Sequence, residues 1–306
     1  TIHTLPVRLP GESAACQGPG DSPPSLGRRL RIVKVELQNI HKHYGAVRAN
    51  DGCSVTIQSG TIHGLLGENG AGKTTLMKVL SGFISADSGV ILLDGKSPPL
   101  RTPAEAIAAG VGMLHQDPLD FPPLSVIDDF LLGQRGGLFP DRAKARRALA
   151  EMGGQFGFKL DPNAAVSSLT VGERQQLEIL RLLSLGVNVL ILDEPTTGIT
   201  ADQKVSLFAA LRVLAAEGRT VVFVSHKLED VQTLCHEVTV LRQGKVAGHC
   251  TMPCSNELLV ETMFGQSLVS PPRADITPSE PALELLNLGV SVGRVRVSGL
   301  NLQVRR

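Results

Sequence analysis

Residues 67–74 read Gly-Glu-Asn-Gly-Ala-Gly-Lys-Thr, a complete G-x-x-x-x-G-K-T run, and that spacing leaves few folds open to the chain. The run requires a strand before it and a helix after it. Ile62-His63-Gly64-Leu65-Leu66 has the apolar, turn-bounded pattern of a short buried strand, and Thr74-Thr75-Leu76-Met77-Lys78-Val79-Leu80 reads as the start of a helix. Gly67, Gly70 and Gly72 let the backbone curl so that successive N–H groups point at phosphate oxygens. Lys73 brings a positive charge to the β- and γ-phosphates, and the Thr74 hydroxyl is a ligand for Mg²⁺. A nucleoside triphosphate is the expected ligand.

The 306 residues carry 30 Lys+Arg against 29 Asp+Glu, a formal net charge of +1. The broad positive field of a nucleic-acid binder is therefore missing, and nucleic acid is not expected as a partner. The five cysteines, Cys16, Cys53, Cys235, Cys250 and Cys254, form no C-x-x-C pair, and the expectation is reduced thiols. No apolar run approaches the ~20 residues that span a bilayer, and the first residues lack a continuous apolar stretch of the signal-peptide kind. Membrane work would need a partner to bring the protein there.

Residues 1–31 are rich in Pro and Gly without periodicity and are expected to be disordered. From Ile32, Val33, Val35 and Leu37 alternate with Lys34 and Glu36, and Val55 and Ile57 follow after a loop; these predict antiparallel strands leading to the phosphate loop. Residues 105–115, 141–152 and 173–185 read as helical or mixed segments. Val189-Leu190-Ile191-Leu192 and Val221-Val222-Phe223-Val224 fit central strands of a parallel sheet. Between them, Thr200-Ala201-Asp202-Gln203 is a capping box that opens a helix, with Val205, Phe208, Leu211 and Ala215 on one face and Gly218 as its stop.

Ligands of such sheets sit at the carboxyl ends of the strands. Asp193-Glu194 follows the first apolar run, Ser225-His226 the second, and Gln116 follows Val111-Gly112-Met113-Leu114-His115. Asp193 suits the role of Mg²⁺ anchor and Glu194 that of the group acting on the attacking water. A neutral His226 can hydrogen-bond a γ-phosphate, and the Gln116 amide oxygen can reach Mg²⁺ or the water.

Together with Leu169-Thr170-Val171-Gly172-Glu173 ahead of Asp193, these residues resemble the ATP-binding cassette ATPases over about residues 32–265. The order of the motifs is the specific part. The resemblance implies an α/β P-loop NTPase fold: a RecA-like parallel sheet core, an antiparallel β subdomain and a helical signature subdomain. It implies ATP and Mg²⁺ as ligands, with Tyr44 stacking on adenine and Gly67, Glu68, Asn69, Gly70, Ala71, Gly72, Lys73, Thr74 and Thr75 forming the phosphate loop. Thr74, Gln116 and Asp193 hold the metal; Glu194, His226 and Gln116 serve hydrolysis. Thr170, Val171, Gly172 and Glu173 stand where the family has its L-S-G-G-Q signature, departing from it at three positions, and that segment closes over the ATP of an opposing cassette. Thr200 stands where the family usually has Asp.

The text at 170–173, Thr200 and Ser225-His226-Lys227-Leu228-Glu229-Asp230-Val231 are most similar to the tandem ATPases of simple-sugar and nucleoside importers. That resemblance implies an ATP-hydrolysing subunit on the cytoplasmic face of the membrane. Its partners are transmembrane permease subunits, an extracytoplasmic solute-binding protein indirectly, and a second cassette in cis or a homodimer. The alternative is a soluble cassette ATPase acting on the ribosome or DNA. Internal repetition favours the tandem reading: Val35–Ile40 recurs at 283–288 and Ser54–Ile57 at 301–304, with offsets of 248 and 247. Residues 266–281 are then a linker and 282–306 the start of a second, truncated cassette, whose own Gly-rich loop is expected about 247 residues after the first, near 314–321.

Overall fold

The computed structural model describes residues 33–117, 120–134, 141–266, 280–292 and 295–305. The expected disorder of 1–31 and most of the expected linker lie outside those residues. The described residues fall into two compact units that divide between 267 and 268.

The first unit is built on a six-stranded sheet in the order β5-β6-β7-β3-β8-β9. Its strands are β3 (Ile62–Leu66), β5 (Val111–Leu114), β6 (Val189–Asp193), β7 (Thr220–Ser225), β8 (Glu237–Arg242) and β9 (Lys245–Thr251). The first five run parallel, and β9 returns antiparallel to β8. β3, β5, β6 and β7 are buried throughout, as their unbroken apolar text requires when both faces are covered. A second sheet, β2-β1-β4, is antiparallel and consists of β1 (Val35–Tyr44), β2 (Val47–Ile57) and β4 (Ser88–Leu93).

One face of the parallel sheet packs on this small sheet and on α1 (Lys73–Leu80), with Leu65, Leu76, Ile191, Val222 and Val224 in the seam. The other face carries α5 (Val171–Ser184), α6 (Ala201–Ala216) and α7 (Leu228–Leu234). Phe208 of α6 meets Phe223 of β7 edge-on, ring centroids 5.9 Å apart. α2 (Pro103–Ala108) precedes β5. α3 (Val126–Leu131) and α4 (Arg142–Phe156) pack with α5 into a helical layer, and α8 (Asn256–Phe264) follows β9. No helix among the described residues is long and apolar enough to cross a membrane.

The box Thr200–Gln203 opens α6 as its residue types demand. Val205, however, is exposed; the buried face runs through Leu207, Phe208, Leu211, Leu214 and Ala215. The apolar stripe is wide enough to be drawn with either edge, and contact with the sheet selects one. The thiol expectation also needs correction. Cys250 at the end of β9 and Cys254 ahead of α8 form a disulfide, because the turn between strand and helix brings two positions four apart to a Cα separation of 6.6 Å. Cys53 and Cys235 are free and buried.

The second unit is the hairpin β10 (Pro281–Val292) and β11 (Val295–Arg305). It repeats β1–β2 in register. The pairs Val35↔Ile57, Leu37↔Val55 and Ile40↔Cys53 have counterparts in Leu283↔Val304, Leu285↔Leu302 and Leu288↔Leu300. Asn39 and Asn287 occupy the same left-handed bulge at φ 50°. Each donates its N–H across the ladder, Asn39 to Ser54 Oγ and Asn287 to Asn301 Oδ1.

His63 is fully buried on β3. Its Nε2 is 2.9 Å from Thr239 Oγ1, and its Nδ1 has no hydrogen-bond partner among the described residues. Burial, with the neighbouring His249 imidazole adding repulsion, pushes it down to about 4. The unfolded chain therefore takes up this proton near pH 6.5 while the native protein refuses it until about 4, so stability falls as pH drops through that window. We expect a loss of about 3 kcal/mol between pH 6.5 and 4 in urea unfolding, and His63→Gln should flatten that part of the curve. An identical slope in the variant would place the proton uptake elsewhere.

Candidate functional site

The loop 67–72 leaves β3 at the carboxyl edge of the parallel sheet and enters α1 directly. It runs so close to its neighbours that side chains have no room. A Cβ on Gly67 would sit 2.2 Å from the Leu241 carbonyl oxygen, and one on Gly72 would sit 2.2 Å from that of Ala49. Gly72 also holds φ +99°. The loop is pinned from outside: Asn50 Nδ2 donates to Gly72 O at 3.1 Å, and Gly244 N–H donates to Ala71 O at 3.1 Å. α1 has no side-chain cap, so the N–H groups of Lys73, Thr74 and Thr75 have no acceptor within the helix. Lys73 folds back to donate to the Gly67 and Glu68 carbonyls at 2.8 and 3.0 Å. Burial lowers its pKa, opposed by the charges of Glu194 and Asp193.

Asp193 ends β6 and is buried. Its Oδ1 has no hydrogen-bond partner among the described residues. Burial pushes the carboxyl up, with the hydrogen bond from Thr74 pulling it down and the Glu194 charge adding to the rise. Glu194 is the first residue past the strand and sits at φ 51°, a conformation costing a non-glycine residue about 1–3 kcal/mol. Its N–H is held by Val224 O at 3.0 Å. Glu194 Oε1 accepts from His226 Nδ1 at 2.8 Å, and Oε2 is buried with no hydrogen-bond partner among the described residues. A carboxylate oxygen only accepts, so His226 carries a proton on Nδ1 in this bond.

A layer that sequence reasoning did not assign supports this pair. Thr196 Oγ1 donates to the buried Asp230 at 2.6 Å, Lys204 pairs with the same carboxylate, and Lys227 Nζ donates to Thr196 O at 3.2 Å. No signal marked Asp230: α7 reads Leu228-Glu229-Asp230-Val231-Gln232-Thr233-Leu234, and nothing in that mixed text separates the buried Asp230 from its exposed neighbour Glu229. Asn50, in a strand of mixed polarity, gave none.

The remaining assigned residues stand further out. Tyr44 closes β1 with its ring half exposed and Lys42 Nζ 5.7 Å from the centroid. Gln116 is exposed just past β5, and among the described residues no hydrogen bond joins it to Asp193, Glu194 or Lys73. Thr170 caps α5 in a box with Glu173, and Gln203 of the α6 box donates to Thr170 Oγ1 at 3.0 Å. A Cβ on Gly172 would come within 2.6 Å of the Gln203 side chain. The two capping boxes therefore interlock, and Val171 packs toward Gly198 beside them.

The strand ends thus assemble an anion cradle, a buried unpaired carboxylate and a carboxylate–imidazole pair. Comparison with known proteins shows which chains and folds this one is similar to. Residues 50–197 match the family described as ABC transporter. The glucose import ATP-binding protein TsgD13 of Haloferax volcanii is 38% identical across 89% of this chain and 56% of its own length. The ribose import ATP-binding protein RbsA of Chromobacterium violaceum is 35% identical, and the nucleoside import ATP-binding protein NupA of Lactococcus lactis 32%, each across 89% of this chain and 55% of its own length. The chain spans about half the length of these curated relatives. Among solved structures, a nucleotide-free ATP-binding cassette from an ABC transporter superposes with a TM-score of 0.66 at 22% identity, covering 77% of this chain and 96% of that one. The dimeric ABC transporter cassette MJ0796 gives 0.63 at 19%, covering 72% and 100%. The fold is that of these P-loop cassettes.

Gly72→Ala should cost about 1–3 kcal/mol from backbone conformation alone, with the contact to Ala49 O added. Gly70→Ala, with nothing within 4 Å of the new Cβ, carries only the backbone part. Equal urea midpoints for the two variants would contradict the close approach at Gly72.

Proposed function

We propose that the chain carries an ATP-binding domain of the ABC transporter family and that it hydrolyses ATP to energise a membrane importer of simple sugars or nucleosides. The observation that carries this reading is the meeting of Lys73, Asp193, Glu194 and His226 at the ends of β3, β6 and β7, with two carboxylate oxygens buried and unpartnered. The names of the relatives, for glucose, ribose and nucleoside import, support the class of solute.

In this reading the triphosphate lies against the N–H groups of 67–75, and the adenine stacks on Tyr44. Lys73 exchanges its two loop carbonyls for phosphate oxygens. The unpartnered Asp193 Oδ1 beside Thr74 fits a hard cation that takes oxygen ligands. Thr74, Asp193 and Gln116 would hold Mg²⁺, which when bound neutralises charge on the β- and γ-phosphates. Glu194 uses its free Oε2 to orient the attacking water and accept its proton, while His226, as an imidazolium whose Nδ1–H is held by Glu194, donates Nε2–H to the γ-phosphate. Thr170, Val171, Gly172 and Glu173 serve the ATP of an opposing cassette, supplied in cis or by a second copy. The repeated hairpin geometry of β10–β11 supports a cis arrangement. Permease subunits hold the protein at the cytoplasmic face of the membrane, and a solute-binding protein outside delivers the cargo to them.

Two substitutions separate binding from turnover. Lys73→Ala removes a charge-assisted contact of roughly 1.5–3 kcal/mol, so ATP affinity should fall at least tenfold in titration with a fluorescent analogue; unchanged affinity would refute the loop assignment. Glu194→Gln should keep ATP affinity while phosphate release slows by roughly 10²–10⁴. Equal losses in binding and release would make Glu194 a structural or metal-holding group.

A further inference from the structure

Away from the strand ends, the β1–β2 ribbon gathers a second set of donor side chains. β1 reads His41-Lys42-His43, and residues two apart on a strand share a face. The cross-strand partner of His41 is Asp51 on β2, the closest relation an antiparallel ladder provides. One imidazole nitrogen from each histidine and a carboxylate oxygen of Asp51 lie within 4.8 Å of one another.

The surroundings orient these donors. Asp51 meets its two cationic neighbours, Arg48 at 3.5 Å and Lys245 at 3.4 Å, through Oδ2. Oδ1 faces His41 Nδ1 at 3.4 Å. His41 Nε2 is 3.3 Å from Asn39 Oδ1, which fixes the ring as an outer partner fixes a metal-binding imidazole. His43 Nδ1 lies 3.3 Å from Asp87 Oδ2, and the other oxygen of Asp87 accepts from Lys42 Nζ at 2.9 Å. Gly52, at φ +75°, lies beside them: a Cβ there would press on Asn39 Oδ1 at 3.2 Å, the atom that holds the His41 ring.

We propose that His41, His43 and Asp51 form a binding site for a borderline divalent cation of the Zn²⁺ class. Two imidazoles and one carboxylate select such an ion over Mg²⁺, which takes oxygen ligands and sheds water reluctantly. Three protein donors leave the remaining positions to water. Arg48 and Lys245 compete with the ion for Asp51 and hold its affinity down. The site also lies two backbone hydrogen bonds from the phosphate loop: Asp51 N–H donates to Gly244 O at 2.7 Å, and Gly244 N–H donates to Ala71 O.

The test is calorimetric titration of ZnCl₂ into the full chain with the Cys250–Cys254 disulfide kept oxidised, so that neither sulfur is a thiolate able to capture the ion. Zn²⁺ should bind, His41→Gln and His43→Gln should each weaken it at least tenfold, and Arg48→Gln, which leaves every donor in place, should tighten it several-fold. Equimolar MgCl₂ should not displace it. The proposal is overturned if the parent takes up no Zn²⁺, if both histidine variants bind as the parent does, or if Mg²⁺ competes on equal terms. The Arg48→Gln arm answers the question even if a histidine variant folds poorly, since only a site using Asp51 gains from losing that cation.

Discussion

The close passage of the 67–72 backbone beneath Ala49 O and Leu241 O is the constraint on which the site depends. It forbids a Cβ at two positions and so fixes two glycines. Held by Asn50 on one side and Gly244 on the other, the loop has its N–H groups oriented before a ligand arrives, and little ordering cost remains to be met on binding. The same constraint ties the small antiparallel sheet to the parallel core, because Ala49 and Asn50 belong to β2 and Leu241 to β8. A ligand in the loop is therefore in mechanical contact with both sheets.

The adjacent carboxylates at the end of β6 receive opposite treatment. Asp193 is still in the strand, buried, and stabilised as an anion by the Thr74 hydrogen bond and the charges of Lys73 and Lys78. Glu194 is turned out of the strand by a left-handed backbone step and tethered to Val224 and His226 of the neighbouring β7 segment. Strain of that kind persists only where surrounding structure imposes it. Here the backbone bonds from Glu194 N–H to Val224 O and from Thr197 N–H to Glu194 O hold both sides of that residue. One acid is thereby suited to a cation and the other to a water molecule, although they are neighbours in sequence.

The phosphate loop, the central strands and the α6 capping box were legible in the sequence because each follows from local rules: glycine spacing, unbroken apolar runs, and a Thr with Gln three residues on. The repeat was legible too, since the Asn39 bulge and its pairing recur at Asn287. What was not legible depends on packing between distant segments. The orientation of α6 that exposes Val205, the burial of Asp230 against Thr196, the bridge from Gln203 to Thr170 and the approach of Cys250 to Cys254 are all set by where a helix or turn comes to rest. No periodicity encodes those distances. Gln116 and Tyr44 lie on exposed segments, where the sequence names the residue and a bound ligand would define its contacts.

Hydrogen exchange at single-residue resolution, with and without Mg·ATP, tests the central claim most directly. The account predicts that nucleotide slows exchange at the amides of 67–75, and that ATP, but not ADP, adds protection at Glu194 and His226, the residues proposed to face the γ-phosphate. Unchanged exchange in 67–75, or equal protection at Glu194 and His226 by ADP and ATP, would contradict it.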